Sequence, residues 1–512
     1  MFMPILYFIM NSLCCMLYRK EYLKYINSVN IEKIQKEKLY SILDSNKDTV
    51  YGKKNGFEHI KTIEEYQKSV PVATYEDYRL FIEDIKIGKN NILTKEQILL
   101  FELTSGSASA SKYIPYTNGL KKEFQKGLKP WIYNLYSSYR GIRWGQSYWS
   151  ITPAGTKKKY TEGGIPVGFE EDTEYFGKLE KKLFDIVFAV PASLAEETDM
   201  DIFYQKTSIY LIKCRYLSLI SVWNPTFLLL ILEYMTKNAE TLCNIIYKNS
   251  IKRNWLKEIL IKQEYNKIWK SLKVISCWCD GNSQGYKDKL EKMFPGTVIQ
   301  PKGLLSTEGF ISMPFAGENG SRISVNSHFF EFQSLEDDLI YLTHQLQKGK
   351  RYTVIITTSG GLYRYNLKDI VEVVGFNNGF PGIKFIGRQD RVSDLFGEKL
   401  HEEFVVNAVS KHLMNPEFFM AAPENDRYVL YVKSNNLESK LAEALDVELR
   451  ENFHYDYCRK LGQLKELSVI AITGNPQKDY LEECVKRGQR LGDIKTVNLA
   501  LQGGWEKVFV KK

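Results

Sequence analysis

Three features of this sequence predict an α/β protein in two parts: a large domain over residues 1–390 with mixed sheets flanked by helices, and a small mobile α+β domain over residues 391–512. From about residue 100 onward, short apolar or β-branched runs alternate with longer helical stretches, the pattern of strands covered by helices. After Asp390 the texture changes to a strand pair with isolated helices, the size of a separate small domain. The chain is 512 residues long, 44% apolar and 26% charged, enough for more than one core. That balance excludes a wholly disordered chain, a collagen-like chain and a multi-span membrane protein.

Taken in order, the opening twenty residues are apolar and run into charge only at Arg19, which predicts a packed helix continuing to Asn30. The segment lacks the basic start of a secretory signal, and Asn11 and Ser12 interrupt it, so no stable membrane span and a cytoplasmic location are expected. Lys, Glu, Ile and Leu at helical spacing predict a helix over 31–48, and two short helices are expected over 62–86 around the turn at Val70, Pro71 and Val72. Strands are expected over 274–278 and 353–357, and helices over 226–236 and 286–293. In the small domain a helix should begin at Glu402, followed by a strand pair over 418–422 and 428–432, a helix over 437–452, a strand over 467–472 and a helix over 477–487.

The net charge of +9 suits an anionic substrate and gives no ground for expecting nucleic acid. Eight cysteines, at 14, 15, 214, 243, 277, 279, 458 and 484, form neither paired zinc knuckles nor a dense disulfide framework, so reduced thiols are expected. Without an HxxH or HExxH pair, the six histidines read as packing or surface residues.

Five segments carry chemistry. Residues 101–117, FELTSGSASASKYIPYT, run from a strand end into small hydroxyl residues and Lys112; Thr104, Ser105, Gly106 and Ser107 would supply hydroxyl and backbone donors to phosphates, unless this is a plain Ser-rich turn. It is not a Walker loop, because GxxxxGK[ST] is absent. Residues 304–309, LLSTEG, put the Thr307 hydroxyl beside the Glu308 carboxylate, which suits Mg²⁺ held by one acidic group and substrate phosphates. Residues 362–373, LYRYNLKDIVEV, place Asp369 at the end of a strand-like run, as a ribose ligand or as a capping residue. Residues 385–399 set Arg388 and Asp390 at the domain junction. Residues 488–496, GQRLGDIKT, present Lys495, a compact cation suited to a phosphate in transit or to solvent.

Their order resembles the adenylate-forming superfamily. More closely, TSGSASASKYIPYT, SVWNPTFLLL, CWCDGNS with KGLLSTEGF, GLYRYNLKDIVEVVGF and NFHYDYCRKLGQL resemble the Gretchen Hagen family of acyl-acid amido synthetases, over about residues 35–500. The resemblance implies two half-reactions: a carboxylic acid attacks the α-phosphate of ATP to give an acyl adenylate and pyrophosphate, and an amine or amino acid then displaces AMP. It implies that Thr104, Ser105, Gly106, Ser107 and Lys112 hold phosphates. Thr307 and Glu308 would serve the α-phosphate, with Glu308 the Mg²⁺ ligand. Gly303, Leu305 and Arg388 would join the nucleotide site, Asp369 would bind ribose, and Lys495 would neutralise charge during adenylation. Three departures bear on rate and nucleotide preference: Ala108, Ser109 and Ala110 stand where further glycines are common, no Lys stands immediately after Arg391, and Lys368 stands where a Gly commonly precedes the ribose Asp.

Two other readings compete. The acyl group could pass to coenzyme A or a carrier-protein thiol after the same first step. Residues 281–285, GNSQG, match GxSxG between a strand-like and a helix-like run, with His328, His344, His401, His412 and His454 as downstream partners for a Ser283 hydrolase. Trp131, Tyr133, Tyr148 and Trp223 are candidates to line an acyl pocket.

Overall fold

In a computed structural model, the described residues are 2–103, 112–150, 159–168, 186–197, 199–280, 283–389, 391–396, 398–434, 437–489 and 494–510. They divide into two compact units. One comprises the described residues of Met1–Thr104, Ser111–Trp278 and Lys289–Phe385; the other comprises those of Cys279–Asp288 and Ile386–Lys512.

The first unit is built on sheets of two kinds. A parallel sheet orders Gln146–Trp149, Leu217–Ser221, Val274–Cys277 and Val298–Pro301 side by side. Such strands are covered on both faces and become continuously apolar, and every residue of Leu217–Ser221 and Val274–Cys277 is buried. Helices such as Met200–Lys213 and Pro225–Lys237 occupy the crossovers. A seven-stranded sheet runs in the order Ser312–Pro314, Ser321–Ile323, Phe380–Arg388, Tyr365–Asn377, Arg351–Thr357, Phe329–Ser334 and Ile340–Leu342. A third sheet places Leu100–Leu103 between Tyr113–Tyr116 and Pro166–Val167.

The opening helix spans Phe2–Ile26 and stops short of the expected Asn30, because Asn30 caps the next helix, Ile31–Asn46, by accepting from the Lys33 amide. Its inward face is pinned by Asn11, which donates to the carbonyls of Arg143 and Gly145 at 3.0 and 2.9 Å, and by Tyr25, which donates to that of Ile323 at 2.8 Å. Among the described residues no helix is long and apolar enough to cross a membrane. The expected pair of short helices forms as Ile63–Ser69 and Tyr75–Lys86. Arg364 secures the end of the first: buried against Glu331 at 2.9 Å, it also donates to the carbonyls of Gln67 and Val70, both at 2.8 Å.

In the second unit the hairpin Phe418–Glu424 and Arg427–Lys433 forms with Asn425 left-handed in its turn, and Ser468–Ala471 adds in parallel. The helix expected over 437–452 is shorter, Leu441–Leu449. Asn452 instead starts a new helix, Phe453–Lys460, by accepting from the amides of His454 and Tyr455. All eight cysteines are buried.

Candidate functional site

The LLSTEG run folds into a tight hairpin, Leu305–Ser306 against Gly309–Phe310, with Thr307 and Glu308 at its partly exposed tip. The Ser306 hydroxyl closes the turn, accepting from the Gly309 amide at 3.2 Å. Gly303 is required beneath it, since a Cβ there would stand 2.1 Å from the Ser312 carbonyl oxygen.

Two tyrosines hold the tip from either side. Tyr116, on the strand that follows Lys112, donates to the Thr307 carbonyl at 2.8 Å. Tyr365, four residues before Asp369, donates to Glu308 Oε1 at 3.4 Å. Both rings are buried. Three segments far apart in the sequence therefore meet at one hairpin.

Asp369 lies within the strand Tyr365–Asn377, not at a strand end as expected. The ladder is interrupted there: Asn366 and Ile370 face Ile355 and Thr353, so three intervening residues oppose one. Lys368, at the centre of this bulge, has φ +62°, the left-handed region that glycine favours. The bulge is what made the sequence read as a terminus, and Asp369 is buried immediately after it. Lys112 is half-buried beside the Tyr75 ring, 5.8 Å from its centroid.

These residues and Leu305 belong to the first unit, whereas Arg388 and Lys495 belong to the second. Arg388 ends the strand Phe380–Arg388 and is half-buried. Lys495 is exposed, and its carbonyl accepts from Tyr480 at 3.0 Å. Thr104, Ser105, Gly106 and Ser107 lie outside the described residues, as does Asp390.

Behind the hairpin stands a polar cluster that no sequence signal disclosed. His328 Nε2 accepts from the Phe310 amide at 2.9 Å, and its Nδ1 meets Glu123 Oε2 at 3.0 Å. Glu123 also accepts from the Ser359 amide at 3.0 Å and its hydroxyl at 2.5 Å, and pairs with Lys38 at 2.5 Å. Burial would raise the Glu123 pKa, but Lys38 and His328 bring it down to about 2. Burial lowers the pKa of His328 despite the carboxylate beside it, so at neutral pH the ring is neutral, and the nitrogen facing Phe310 is the acceptor. The charge that holds Glu123 ionised at that pH is therefore Lys38.

A second buried cation was also missed. Lys302, six residues before Glu308, donates to the Ser221 hydroxyl at 2.8 Å and lies 4.6, 5.7 and 4.5 Å from the ring centroids of Trp131, Trp149 and Trp223. Of the other pocket candidates, Tyr148 is fully buried and Tyr133 packs on Tyr22 of the opening helix at 4.5 Å.

The GxSxG reading fares less well. Gly281 and Asn282 lie outside the described residues, and Ser283 is buried at the start of the helix Gln284–Met293. Both ring nitrogens of His328 are occupied, His344 and His412 sit 4.0 and 3.5 Å from Glu32 and Glu448, and His401 and His454 are exposed.

Three family models match consecutive stretches: the GH3 family N-terminal domain over residues 27–299, the central domain over 322–388 and the C-terminal domain over 401–502. Two Arabidopsis thaliana relatives, indole-3-acetic acid-amido synthetases GH3.2 and GH3.17, are 25% and 22% identical. The first match covers 76% of this chain and 80% of the relative, the second 93% and 92%. The solved AtGH3.15 acyl acid amido synthetase in complex with 2,4-DB superimposes with a TM-score of 0.79 at 19% identity, over 98% of this chain and 96% of that one. A 2-hydroxyisobutyryl-CoA ligase in complex with 2-HIB-AMP reaches 0.50 at 12% identity, over 94% and 90%.

Proposed function

The chain belongs to the GH3 family, and from that premise we propose that it is an acyl-acid amido synthetase that couples a small carboxylic acid to an amine or amino acid at the expense of ATP. The observation that carries this reading is the convergence on the Thr307–Glu308 hairpin tip of Tyr116 from the strand following Lys112 and Tyr365 from the strand bearing Asp369. Nucleotidyl transfer asks a protein mainly to position reactants and neutralise charge, and this arrangement offers positioned donors and one carboxylate.

In the first half-reaction the acid's carboxylate oxygen attacks the α-phosphorus of ATP, the bond to the bridging oxygen breaks, and pyrophosphate leaves. We assign the phosphates to Thr104, Ser105, Gly106, Ser107 and Lys112, the α-phosphate to Thr307 and Glu308, the ribose to Asp369, and the nucleotide's flanks to Gly303, Leu305 and Arg388. Lys495 supplies positive charge as pyrophosphate separates. In the second half-reaction the amine attacks the acyl carbonyl and AMP departs. We assign residues 1–390 to the adenylation domain and 391–512 to a lid that reorients between the steps.

The residues present fit a Mg²⁺ ion shared with substrate phosphates. The hairpin offers one carboxylate, Glu308, and the described residues contain no cluster of three or more His, Cys, Asp or Glu side chains able to enclose a metal by themselves. Bound there, the ion would offset phosphate charge. We assign the acyl pocket's wall to Trp131, Trp149 and Trp223 around Lys302, a surface suited to an aromatic or extended apolar acid.

The test is acid-dependent ATP/pyrophosphate exchange with pooled aromatic, aliphatic and hydroxylated acids. Exchange requiring acid, and lost in Lys495→Ala, supports the reading; amines are then screened with coenzyme A as the competing acceptor. Exchange by Lys495→Ala together with loss in Ser283→Ala would refute it.

A further inference from the structure

Glu123 lies on the helix Asn118–Ser138, which follows Lys112 and the strand Tyr113–Tyr116. Through His328 it reaches Phe310 and so the Thr307–Glu308 hairpin; directly, it holds Ser359 in the turn leading to Tyr365 and Asp369. One buried carboxylate thereby ties together the three segments assigned to the nucleotide.

We infer that Glu123 and His328 are positioning residues for adenylation, fixing the hairpin that carries Thr307 and Glu308 against the Asp369 strand; this rests on the adenylation reading above. The Phe310 amide is buried, so an acceptor must face it, and neutral His328 with its proton on Nδ1 provides one while donating to Glu123. The fit allows little slack: a Cβ on Gly309 would stand 2.9 Å from His328 Nε2. Lys38 completes the cluster by balancing the carboxylate's charge. His328, held by Glu123, acts by fixing the backbone two residues beyond Glu308, where a displacement of an ångström would misplace a carboxylate meant for an α-phosphate.

Two near-isosteric substitutions separate this role from packing. Asn at 328 keeps a donor near the Nδ1 position but loses the acceptor for Phe310; Gln keeps an acceptor near the Nε2 position and loses the donor to Glu123. Two readouts are compared: hydrogen exchange of segment 303–312 by mass spectrometry, and kcat and KM for ATP and acid in pyrophosphate exchange. His328→Asn should exchange faster in 303–312 and lose about 30-fold in kcat, with KM for the acid within about twofold. His328→Gln should keep the segment's protection and lose no more than about threefold. Glu123→Gln should loosen both 303–312 and the turn at 359. Equal kcat losses in the two His328 variants, a loosened segment with unchanged kcat, or unchanged protection in His328→Asn would each overturn the inference. If the wild-type protein shows no acid-dependent exchange, the adenylation reading fails instead, and the hydrogen-exchange comparison still decides whether His328 anchors the hairpin.

Discussion

At the scale of single residues, chemistry and context contributed differently to legibility. Glu308, Asp369 and Lys495 could be singled out because their motifs retain order and spacing over hundreds of residues. Tyr116 and Tyr365 lie within the quoted segments but show no role until the fold sets their partners beside them, and Glu123 and His328 lie outside every such segment; His328 reads in the sequence as a packing or surface residue or as a hydrolase partner. Lys302 was hidden for the same reason: its three tryptophans come from separate elements. Glu308→Gln keeps the shape and a hydrogen-bond acceptor for Tyr365 but removes the charge, so it should lower kcat for pyrophosphate exchange by about 100-fold with little change in thermal midpoint. A loss confined to KM for the acid would argue that Glu308 serves another step. Lys302→Met preserves the chain length and removes the ammonium from its aromatic surroundings. KM for the acid should rise about tenfold while KM for ATP holds, a difference worth about 1.4 kcal/mol; equal rises in both would remove Lys302 from the acyl pocket.

At the scale of elements, the seven-stranded sheet was legible only in pieces. Residues 353–357 appeared as a strand and form the strand Arg351–Thr357, but its partner Tyr365–Asn377 was masked by the bulge at Lys368. Helix existence was easier to read than helix extent, since caps such as Asn30 and Asn452 end one helix and begin another within a few residues. The bulge makes its own prediction. An L-residue at φ +62° is strained, and more severely with a β-branched side chain than with a straight-chain one. Lys368→Gly should therefore raise stability by up to about 1 kcal/mol, and Lys368→Val should lower it by about 2 kcal/mol and weaken ATP binding by displacing Asp369. Urea titrations of the three proteins check the first pair of values. A Gly variant less stable than the Val variant would mean that the strain is relieved elsewhere.

At the scale of the whole molecule, the units can be followed separately, because seven of the eight tryptophans, all but Trp505, lie in the first unit. Tryptophan emission in urea thus reports mainly the unit that contains Glu123 and His328, and its stability should depend on pH in two stages. His328 has a lowered pKa in the folded protein and is the buried histidine, the other five being exposed. As pH falls below its ordinary value near 6.5, the unfolded chain takes up the proton first, and stability is lost. Glu123, lowered from 4.5 to about 2, contributes stability that is complete above 4.5 and lost as pH falls toward 2. Both effects have the same sign, so the decline should begin as pH falls below 6.5 through His328, and Glu123 should add its own below 4.5. Each fully engaged group contributes a slope of about 1.4 kcal/mol per pH unit. Lys38 and Lys126 face the same cluster, and burial brings Lys126 down to about 8, which lies above this window. His328→Gln should flatten the first stage and leave the second in place. A first stage that persists unchanged in His328→Gln would locate the titrating group elsewhere and remove the reason for assigning a neutral ring beneath the hairpin.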